Sequence, residues 1–235
     1  MTKQVNDIHV AFRGNDSIEV EAGAGCGKTT LIVSGNQYLP HSTLFLSFNK
    51  EIADELKRRM PMRICGTFHS IALRNLTMRM GKLSVDAFKY SRLAAKQGLD
   101  REESNVVASI VSDFQMNVEP IFVDAREWTT GFCNELMSDQ FRFEADVEDE
   151  LRFAELVEIA MSLLRNEAAK PTAWSFDDIL FFLAYFAKKK RLNLCDYACV
   201  VVDEAQDVSP IRAYLIGLFS KRLIQVGDRR QAIYA

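Results

Sequence analysis

The stretch that decides the fold runs from Ser17 to Thr30 and reads Ser-Ile-Glu-Val-Glu-Ala-Gly-Ala-Gly-Cys-Gly-Lys-Thr-Thr. Ile18 and Val20 alternate with polar neighbours, which predicts a short strand. The apolar run Leu31-Ile32-Val33 follows the glycines and indicates a helix that begins near Lys28. A strand, a glycine-rich loop and a helix N-terminus in this order form the context that a phosphate-binding P-loop requires.

The residue types in this loop match the chemistry of a bound polyphosphate. Glycines let backbone N–H groups converge on a dense anion without Cβ clashes, and the helix N-terminus adds its positive dipole end. Lys28 would contact the β- and γ-phosphates, and the hydroxyl of Thr29 would bind Mg²⁺. A chance glycine-rich turn is the alternative, but it does not account for the flanking strand and helix. The sequence therefore predicts a nucleoside triphosphate site formed by Ala22 (in place of the usual first glycine), Gly23, Ala24, Gly25, Cys26, Gly27, Lys28, Thr29 and Thr30.

Composition restricts the class of protein. The 235 residues are 48% hydrophobic, which suits one large domain or a domain with an insertion. The net charge of −3 implies that a nucleic acid would be bound by a local groove and not by a generally basic surface. The five cysteines form no CxxC pair and indicate reduced thiols of a cytoplasmic protein. The most apolar run, Ile179 to Ala187, is too short to cross a membrane, so no membrane partner is expected.

The order of the segments predicts an α/β fold. A helix from Thr2 to Phe12 and one from Glu51 to Met60 alternate with strands, and this alternation is typical of a parallel sheet flanked by helices. The further predicted strands are Thr43 to Phe48, Met62 to Cys65, Ala198 to Val202 and Arg222 to Val226.

A long helical segment interrupts this alternation. No clear strand occurs from about Asn75 to Asn193, and four stretches carry helix-spaced apolar residues. These are Phe88 to Ala95, Glu102 to Met116, Asp146 to Arg165 and Phe176 to Lys189. We therefore expect an ATPase lobe in two parts, residues 1–74 and 194–235, with an all-helical insertion at 75–193. The acidic run from Glu144 to Glu150 is interpreted as a solvated helix start.

Two carboxylates follow the apolar run Val200-Val201-Val202. A P-loop enzyme needs one carboxylate that holds Mg²⁺ and a second that activates the attacking water, both at the carboxyl edge of the sheet. Asp203 would be the metal carboxylate and Glu204 the general base. A surface loop is the alternative for an isolated Asp-Glu pair, but here the pair accompanies a P-loop.

Five motifs together identify the family that the sequence resembles. They are Ala22 to Thr29, Phe48-Asn49-Lys50, Thr67-Phe68-His69-Ser70, Asp203-Glu204-Ala205-Gln206-Asp207, and Val226 to Tyr234 with its Gly-Asp-x-x-Gln-x-Ile-Tyr pattern. Their order and spacing resemble the first RecA-like lobe of the UvrD/Rep-like superfamily 1 helicases, including its helical insertion. The last two motifs are highly specific, and Cys26 stands where Ser is frequent in this family. The resemblance implies an ATP- and Mg²⁺-dependent DNA helicase or translocase that acts on single-stranded DNA in repair or replication.

The resemblance also implies roles for further residues. Gln4 would read the adenine edge, although a solvent-facing helical glutamine is the alternative. Gln206 and Gln231 would lie near the γ-phosphate, Gln231 acting with Lys28 and Glu204 in catalysis, and Asp228 would organise that end of the sheet. The single-stranded DNA groove would be lined by Phe48, Asn49, Lys50, Thr67, Phe68, His69 and Tyr234. Phe48 and Phe68 could instead belong to the core, and no acid–base role is assigned to His69.

In this family a second RecA-like lobe follows the Gln-x-Ile-Tyr segment and supplies arginines to the γ-phosphate. The sequence ends at Ala235, directly after that segment, so we expect an incomplete motor that needs this lobe in cis or in trans. A non-motor module that binds ATP and single-stranded DNA, as a subunit with a partner lobe, is the alternative. A small-molecule P-loop kinase fits less well, because it would not explain the Gln-x-Ile-Tyr segment.

Overall fold

The structure is a computed structural model that describes residues 3–23, 25–82, 84–118, 150–189, 192 and 194–228. The chain divides into two compact units, the first formed by Met1–Ala72 and Leu194–Ala235 and the second by Leu73–Asn193. The described helices and strands follow one another as α1 (Lys3–Phe12), β1 (Ile18–Glu21), α2 (Lys28–Gly35), β2 (Thr43–Ser47), α3 (Lys50–Arg59), β3 (Ile64–Thr67), α4 (Phe68–Met80), α5 (Lys89–Ala95), α6 (Arg101–Asn117), α7 (Glu150–Ala169), α8 (Phe176–Lys188), β4 (Cys199–Asp203), α9 (Pro210–Phe219) and β5 (Leu223–Gly227).

The first unit is built on one five-stranded sheet with the order β1-β5-β4-β2-β3, in which all neighbouring strands are parallel. In its central strand β4, Val201 lies opposite Phe45 of β2 and Ile224 of β5. Strands β2 and β4 are buried along their whole lengths, as expected for inner strands of a parallel sheet that read as continuous apolar runs. The predicted α/β fold with a parallel sheet is confirmed.

The core of this unit joins the sheet to its helices. Phe12 of α1, Ile32 of α2, Phe45, Val201 and Ile224 form part of one buried cluster. The predicted apolar face of the first helix is present, since His9 and Phe12 are buried and Val5 and Ile8 are half-buried. Thr2, the predicted first residue of this helix, lies outside the described residues.

The observed bounds correct two predicted elements. The third strand was placed at Met62 to Cys65 and lies at Ile64–Thr67, because residues 61–63 form a turn. Arg63 in that turn donates to the carbonyls of Asn36, Leu39 and Pro40 and so fixes the start of the strand. The strand predicted to reach Phe48 ends at Ser47, whose hydroxyl donates to the Asn49 carbonyl at 3.1 Å.

The second unit contains helices α5 to α8, and its described residues form no strand beyond one isolated bridge between Val85 and Trp174. Helix α7 begins at Glu150 and ends at Ala169, four residues later than predicted, and residues 146–149 of that prediction lie outside the described chain. Helix α4 contains the boundary between the two units, since it runs from Phe68 to Met80.

A hydrogen-bonded polar cluster lies inside the second unit. The Asp178 carboxylate of α8 is fully buried and accepts from Lys89 at 2.6 Å, from Tyr90 at 2.7 Å and from Gln115 at 2.7 Å. Lys89 also pairs with Glu167 of α7 at 2.8 Å. Burial raises the pKa of Tyr90 well above its usual value, and the neighbouring carboxylates raise it further. The helices of this unit are therefore connected by buried ion pairs and hydrogen bonds as well as by apolar packing.

Candidate nucleotide site and adjoining sheet edge

The glycine-rich loop links β1 to α2 at the carboxyl edge of the sheet. Gly25 and Gly27 have φ angles of 72° and 77°, a left-handed conformation that residues with a Cβ rarely adopt. The Ala22 amide donates to the Gly227 carbonyl at 2.8 Å, which ties the loop to the end of β5. Gly23, Gly25, Cys26 and Gly27 are exposed, and Ala24 lies outside the described residues. The loop conformation leaves its backbone accessible to a ligand.

A cavity of about 670 Å³ lies beside this loop, within the usual size range of ligand pockets. Gln4, Val5 and Ile8 of α1 form one wall of the cavity. Leu31 and Ser34 of α2 also line the cavity. Val5, Ile8, Leu31 and Ser34 were not predicted from the sequence as lining residues, although the predicted apolar face of α1 indicated that this helix packs against another part of the fold. The remaining lining residues are Val20, Glu21, Ala22, Gly23, Gly25, Cys26, Gly27 and Thr30.

The structure brings the predicted P-loop and acidic residues together. Lys28 Nζ lies 2.5 Å from Glu204 Oε2, and Thr29 Oγ1 donates to Asp203 Oδ2 at 3.0 Å. Gln206 Nε2 donates to the same Glu204 oxygen at 2.8 Å. Residues separated by more than 170 positions in sequence therefore form one site, because β1 and β4 end at the same edge of the sheet.

The pairing of Thr29 with Asp203 suits a hard divalent cation. A hydroxyl and a carboxylate oxygen are donors that Mg²⁺ prefers, and it usually takes its other ligands from water and substrate phosphates. Burial raises the pKa of the Asp203 carboxyl, the Thr29 hydrogen bond lowers it, and the charge of Glu204 raises it. No group of three or more potential metal-binding His, Cys, Asp or Glu side chains occurs in the described part of the chain. The donor set fits a cation that shares its coordination with a nucleotide.

Gln206 connects the ends of two strands. Its Oε1 accepts from the Asp228 amide at 3.0 Å, while its Nε2 contacts Glu204. A Cβ at Gly227 would lie 2.8 Å from Gln206 Oε1 and 3.2 Å from the amide nitrogens of Ala205 and Gln206, so a side chain there would have to displace Gln206. Asp228 is buried at the end of β5. Gln231, predicted to act near the γ-phosphate, lies outside the described residues.

The predicted DNA-binding residues lie at the carboxyl ends of the neighbouring strands β2 and β3. Asn49 is exposed, but its Oδ1 accepts from the Ile52 amide at 2.8 Å and caps α3. Thr67 Oγ1 likewise accepts from the Ser70 amide at 3.1 Å. Lys50 is exposed, and His69 is half-buried. Two of the polar residues therefore have a structural role, and Tyr234 lies outside the described chain.

The two phenylalanines of this group pack against each other. Their ring centroids are 5.6 Å apart, and Phe68 is only 3% exposed while Phe48 is half-buried. The burial of Phe68 supports its assignment to the core, because a ring that stacks on bases must be accessible. The guanidinium carbon of Arg212 lies 4.9 Å from the Phe48 centroid and 5.9 Å from the Phe68 centroid.

Two charged residues near this edge, Asp207 and Arg212, were not among the predicted site residues. Burial raises the pKa of Asp207, the Glu204 charge raises it further, and the charges of Lys28 and Arg212 lower it. The sequence did contain a signal for Arg212. It is a cation in the first turn of α9, where the helix dipole disfavours positive charge.

None of the helices that the structure describes has both the length and the apolar character that crossing a membrane requires.

Comparison with known proteins agrees with the resemblance drawn from the motifs. A family model described as the UvrD/REP helicase N-terminal domain matches residues 2–235. DNA helicase IV of Escherichia coli strain K12 is 25% identical over 267 aligned residues, which cover 94% of this chain and 39% of the relative. F-box DNA helicase 1 of Gallus gallus is 24% identical over 230 residues, which cover 93% of this chain and 22% of the relative. The chain thus spans well under half the length of these curated relatives.

Proposed function

The chain belongs to the UvrD/REP helicase N-terminal domain family, and from this premise we propose that it is the ATP-binding lobe of an ATP-dependent helicase or translocase that acts on single-stranded DNA. In this proposal residues 1–74 and 194–235 form the ATPase lobe, and residues 75–193 form its helical insertion. The observation that carries the proposal is the meeting of Lys28 and Thr29 with Asp203 and Glu204 at one sheet edge, beside the cavity next to the P-loop.

The P-loop would hold the phosphates. Residues 25–27 are exposed, and the N-terminus of α2 offers backbone donors and a positive dipole end to an anion. Lys28 pairs with Glu204 at 2.5 Å, so it would exchange this carboxylate for the β- and γ-phosphates. The exchange would release Glu204 from its ion pair. Gln4, at the wall of the cavity, would bind the base.

Thr29 and Asp203 would hold Mg²⁺, which when bound would neutralise charge between the β- and γ-phosphates. Glu204 would accept the proton of the attacking water as general base. Gln206, which donates to Glu204 and accepts from the Asp228 amide, would orient that carboxylate and respond to the γ-phosphate, with Gln231 as a second polar group. Thr29, Asp203, Glu204 and Gln206 are linked by hydrogen bonds or ion pairs at the same edge of the sheet.

Single-stranded DNA would cross the ends of β2 and β3. The exposed Lys50 supplies a cation for phosphates, and Asn49 and the half-buried Phe48 precede it after β2. Thr67 and His69 lie at and just after the end of the neighbouring strand β3. The net charge of −3 favours such a local contact. Phe68 would support Phe48 from the core and not stack on bases itself.

A second RecA-like lobe, in cis or in trans, would complete the motor. The P-loop glycines are exposed, and the curated relatives are more than twice as long as the segment that this chain matches. Arginines that contact the γ-phosphate contribute about 10³–10⁵ in rate to related phosphoryl transfers. The 235 residues alone should therefore bind ATP but hydrolyse it slowly.

Titration calorimetry with Mg²⁺ and a non-hydrolysable ATP analogue tests the nucleotide site. We expect Lys28→Ala to weaken binding at least about tenfold, because the variant loses a charge-assisted contact with the phosphates. Lys221→Ala removes an exposed lysine of the same unit and is the matched control, with unchanged affinity expected. Equal affinities for wild type and Lys28→Ala would contradict the proposed site.

Steady-state ATPase and duplex-unwinding assays on the 235-residue chain test the motor part of the proposal. We expect nucleotide binding with slow hydrolysis and no strand separation, since two lobes that open and close are needed for translocation. Addition of a second RecA-like lobe in trans should raise the turnover. Robust unwinding by the chain alone would contradict the one-lobe proposal, and unchanged turnover with the added lobe would favour a non-motor binding module.

A further inference from the structure

Arg212 contacts two segments that are distant from it in sequence and a turn that lies five residues before it. Its guanidinium carbon lies 4.9 Å from the Phe48 centroid, at the end of β2, and 5.9 Å from the Phe68 centroid, at the start of α4. Its Nη1 donates to the Asp207 carbonyl at 3.4 Å, in the turn that follows β4. All of these residues belong to the first unit. One side chain therefore joins the edge near Asn49 and Lys50 to the turn that carries Gln206.

The location of this charge is unfavourable for the helix itself. Arg212 is the third residue of α9, which begins at Pro210, and a cation in the first turn opposes the helix dipole. The two aromatic faces and the carbonyl compensate for that location, because a guanidinium over an aromatic ring is attracted to the ring quadrupole.

Asp207, whose carbonyl accepts from Arg212, lies in the turn that follows the acidic residues Asp203 and Glu204. Residues Ala205–Asp207 form a single 3-10 turn, and Gln206 within it donates to Glu204 at 2.8 Å and accepts from the Asp228 amide at 3.0 Å. Phe48, whose ring lies near the guanidinium of Arg212, is followed in sequence by Asn49 and Lys50. The guanidinium therefore contacts both the ring that precedes Asn49 and Lys50 and a carbonyl of the turn that carries Gln206.

We propose that Arg212 is a positioning residue that couples nucleotide binding to single-stranded DNA binding by linking Phe48 and Phe68 to the Ala205–Asp207 turn. This inference rests on the proposed function, since it assumes that both ligands bind the first unit. Arg212 itself contacts neither ligand in this scheme. Its removal should therefore uncouple the two sites while each ligand still binds alone.

The experiment measures four dissociation constants on the 235-residue chain. The probes are a Mg²⁺-bound non-hydrolysable ATP analogue and a labelled oligo(dT) of about 16 nucleotides, the upper end of the site size of single-strand binding folds. Each affinity is measured with and without saturating amounts of the other ligand. In the wild type we expect each ligand to change the affinity of the other by the same factor, at least about fivefold.

Three variants separate coupling from general damage. Arg212→Met keeps the length and apolar stem but removes the charge and the donors, so the coupling factor should fall to about one while each affinity alone changes less than about threefold. Arg212→Lys keeps the charge over the rings and should retain part of the factor. Lys221→Met removes an exposed lysine of the same unit and should leave the factor unchanged.

The outcomes distinguish this inference from the proposed function. Wild-type coupling that is unchanged in Arg212→Met would overturn the role of Arg212 alone. Binding of both ligands without coupling in the wild type would also overturn it and would leave the proposed function in place. Failure of the wild type to bind either ligand would overturn the proposed function and the inference together. Loss of coupling in Arg212→Met, with both ligands still bound, supports the proposal.

Discussion

At the scale of single residues, Glu204 has an unusual backbone conformation, and its carboxylate contacts both Lys28 and Gln206. Its φ of 57° is the one positive value for a non-glycine residue among those that the structure describes. A left-handed conformation costs a residue with a Cβ on the order of 1–3 kcal/mol and tends to persist where surrounding contacts determine it. Here Lys28 and Gln206 both contact the Oε2 atom of the carboxylate. The strain favours a role in which the orientation of the Glu204 carboxylate matters, as it would for a general base.

Glu204→Gln tests the role of this carboxylate. The carboxamide keeps the shape and accepts a hydrogen bond, but it does not take a proton from water, so we expect hydrolysis to fall at least about 10²-fold. Nucleotide affinity should be unchanged or higher, because Lys28 no longer has an ion pair to break. Calorimetry and single-turnover hydrolysis measure the two effects. Glu55→Gln, at a half-buried residue of α3 that pairs with Arg59, is the control, and a wild-type rate in Glu204→Gln would place the base elsewhere.

At the scale of secondary structure elements, the buried carboxylate of Asp178 organises the helical unit. It caps α8 through a reciprocal pair of hydrogen bonds with Ser175, at 2.9 and 3.0 Å. The same carboxylate accepts from Lys89 of α5 and Gln115 of α6. A buried charge is tolerated when it is paired and its lone pairs are satisfied, and both conditions are met here. One residue therefore fixes the start of a helix and its contacts with two others.

Asp178→Asn should destabilise the helical unit by about 3–5 kcal/mol, because it leaves Lys89 buried with only Glu167 as its anionic partner. Asp177→Asn is the matched control, since the neighbouring carboxylate is half-buried and accepts from Ser112 at 2.6 Å, and about 1 kcal/mol is expected. Urea unfolding followed by tryptophan fluorescence measures the difference. Both tryptophans of the sequence lie within residues 73–193, so the signal reports on this unit. Equal losses in the two variants would contradict the role of Asp178.

The elements also show which strands and contacts could be predicted from the sequence. Strands β2 and β4 could be predicted because each is a continuous apolar run, and Lys28, Thr29, Asp203 and Glu204 could be brought together because parallel strands end at one edge. Strand β3 was misplaced by two residues, since apolar pattern alone does not reveal the turn that Arg63 fixes. Likewise the contact of Arg212 with Phe48 and Phe68 joins distant segments, and no local pattern contains it.

At the scale of the whole molecule, one unit is formed by two separate segments of the sequence and the other by a single segment. The first combines Met1–Ala72 with Leu194–Ala235, and the second is the continuous segment Leu73–Asn193. Each has its own buried residues, such as Phe45 and Val201 in the first and Leu164 and Phe181 in the second. All the described residues of the proposed nucleotide site belong to the first unit. Ligand binding should therefore stabilise this unit directly.

Hydrogen exchange tests that expectation. A ligand at about 100 times its dissociation constant stabilises the state that binds it by about 2.7 kcal/mol, so amides that exchange by opening of this unit should exchange about a hundredfold more slowly. We expect protection by Mg²⁺ and a non-hydrolysable ATP analogue in peptides that cover residues 25–35 and Cys199–Asp203. Peptides from α7, in the other unit, serve as the internal control with little change. The Lys28→Ala variant should lose the protection. Equal protection of both units would show that nucleotide binding stabilises the helical unit as well, and absence of protection in the wild type would contradict the nucleotide site itself.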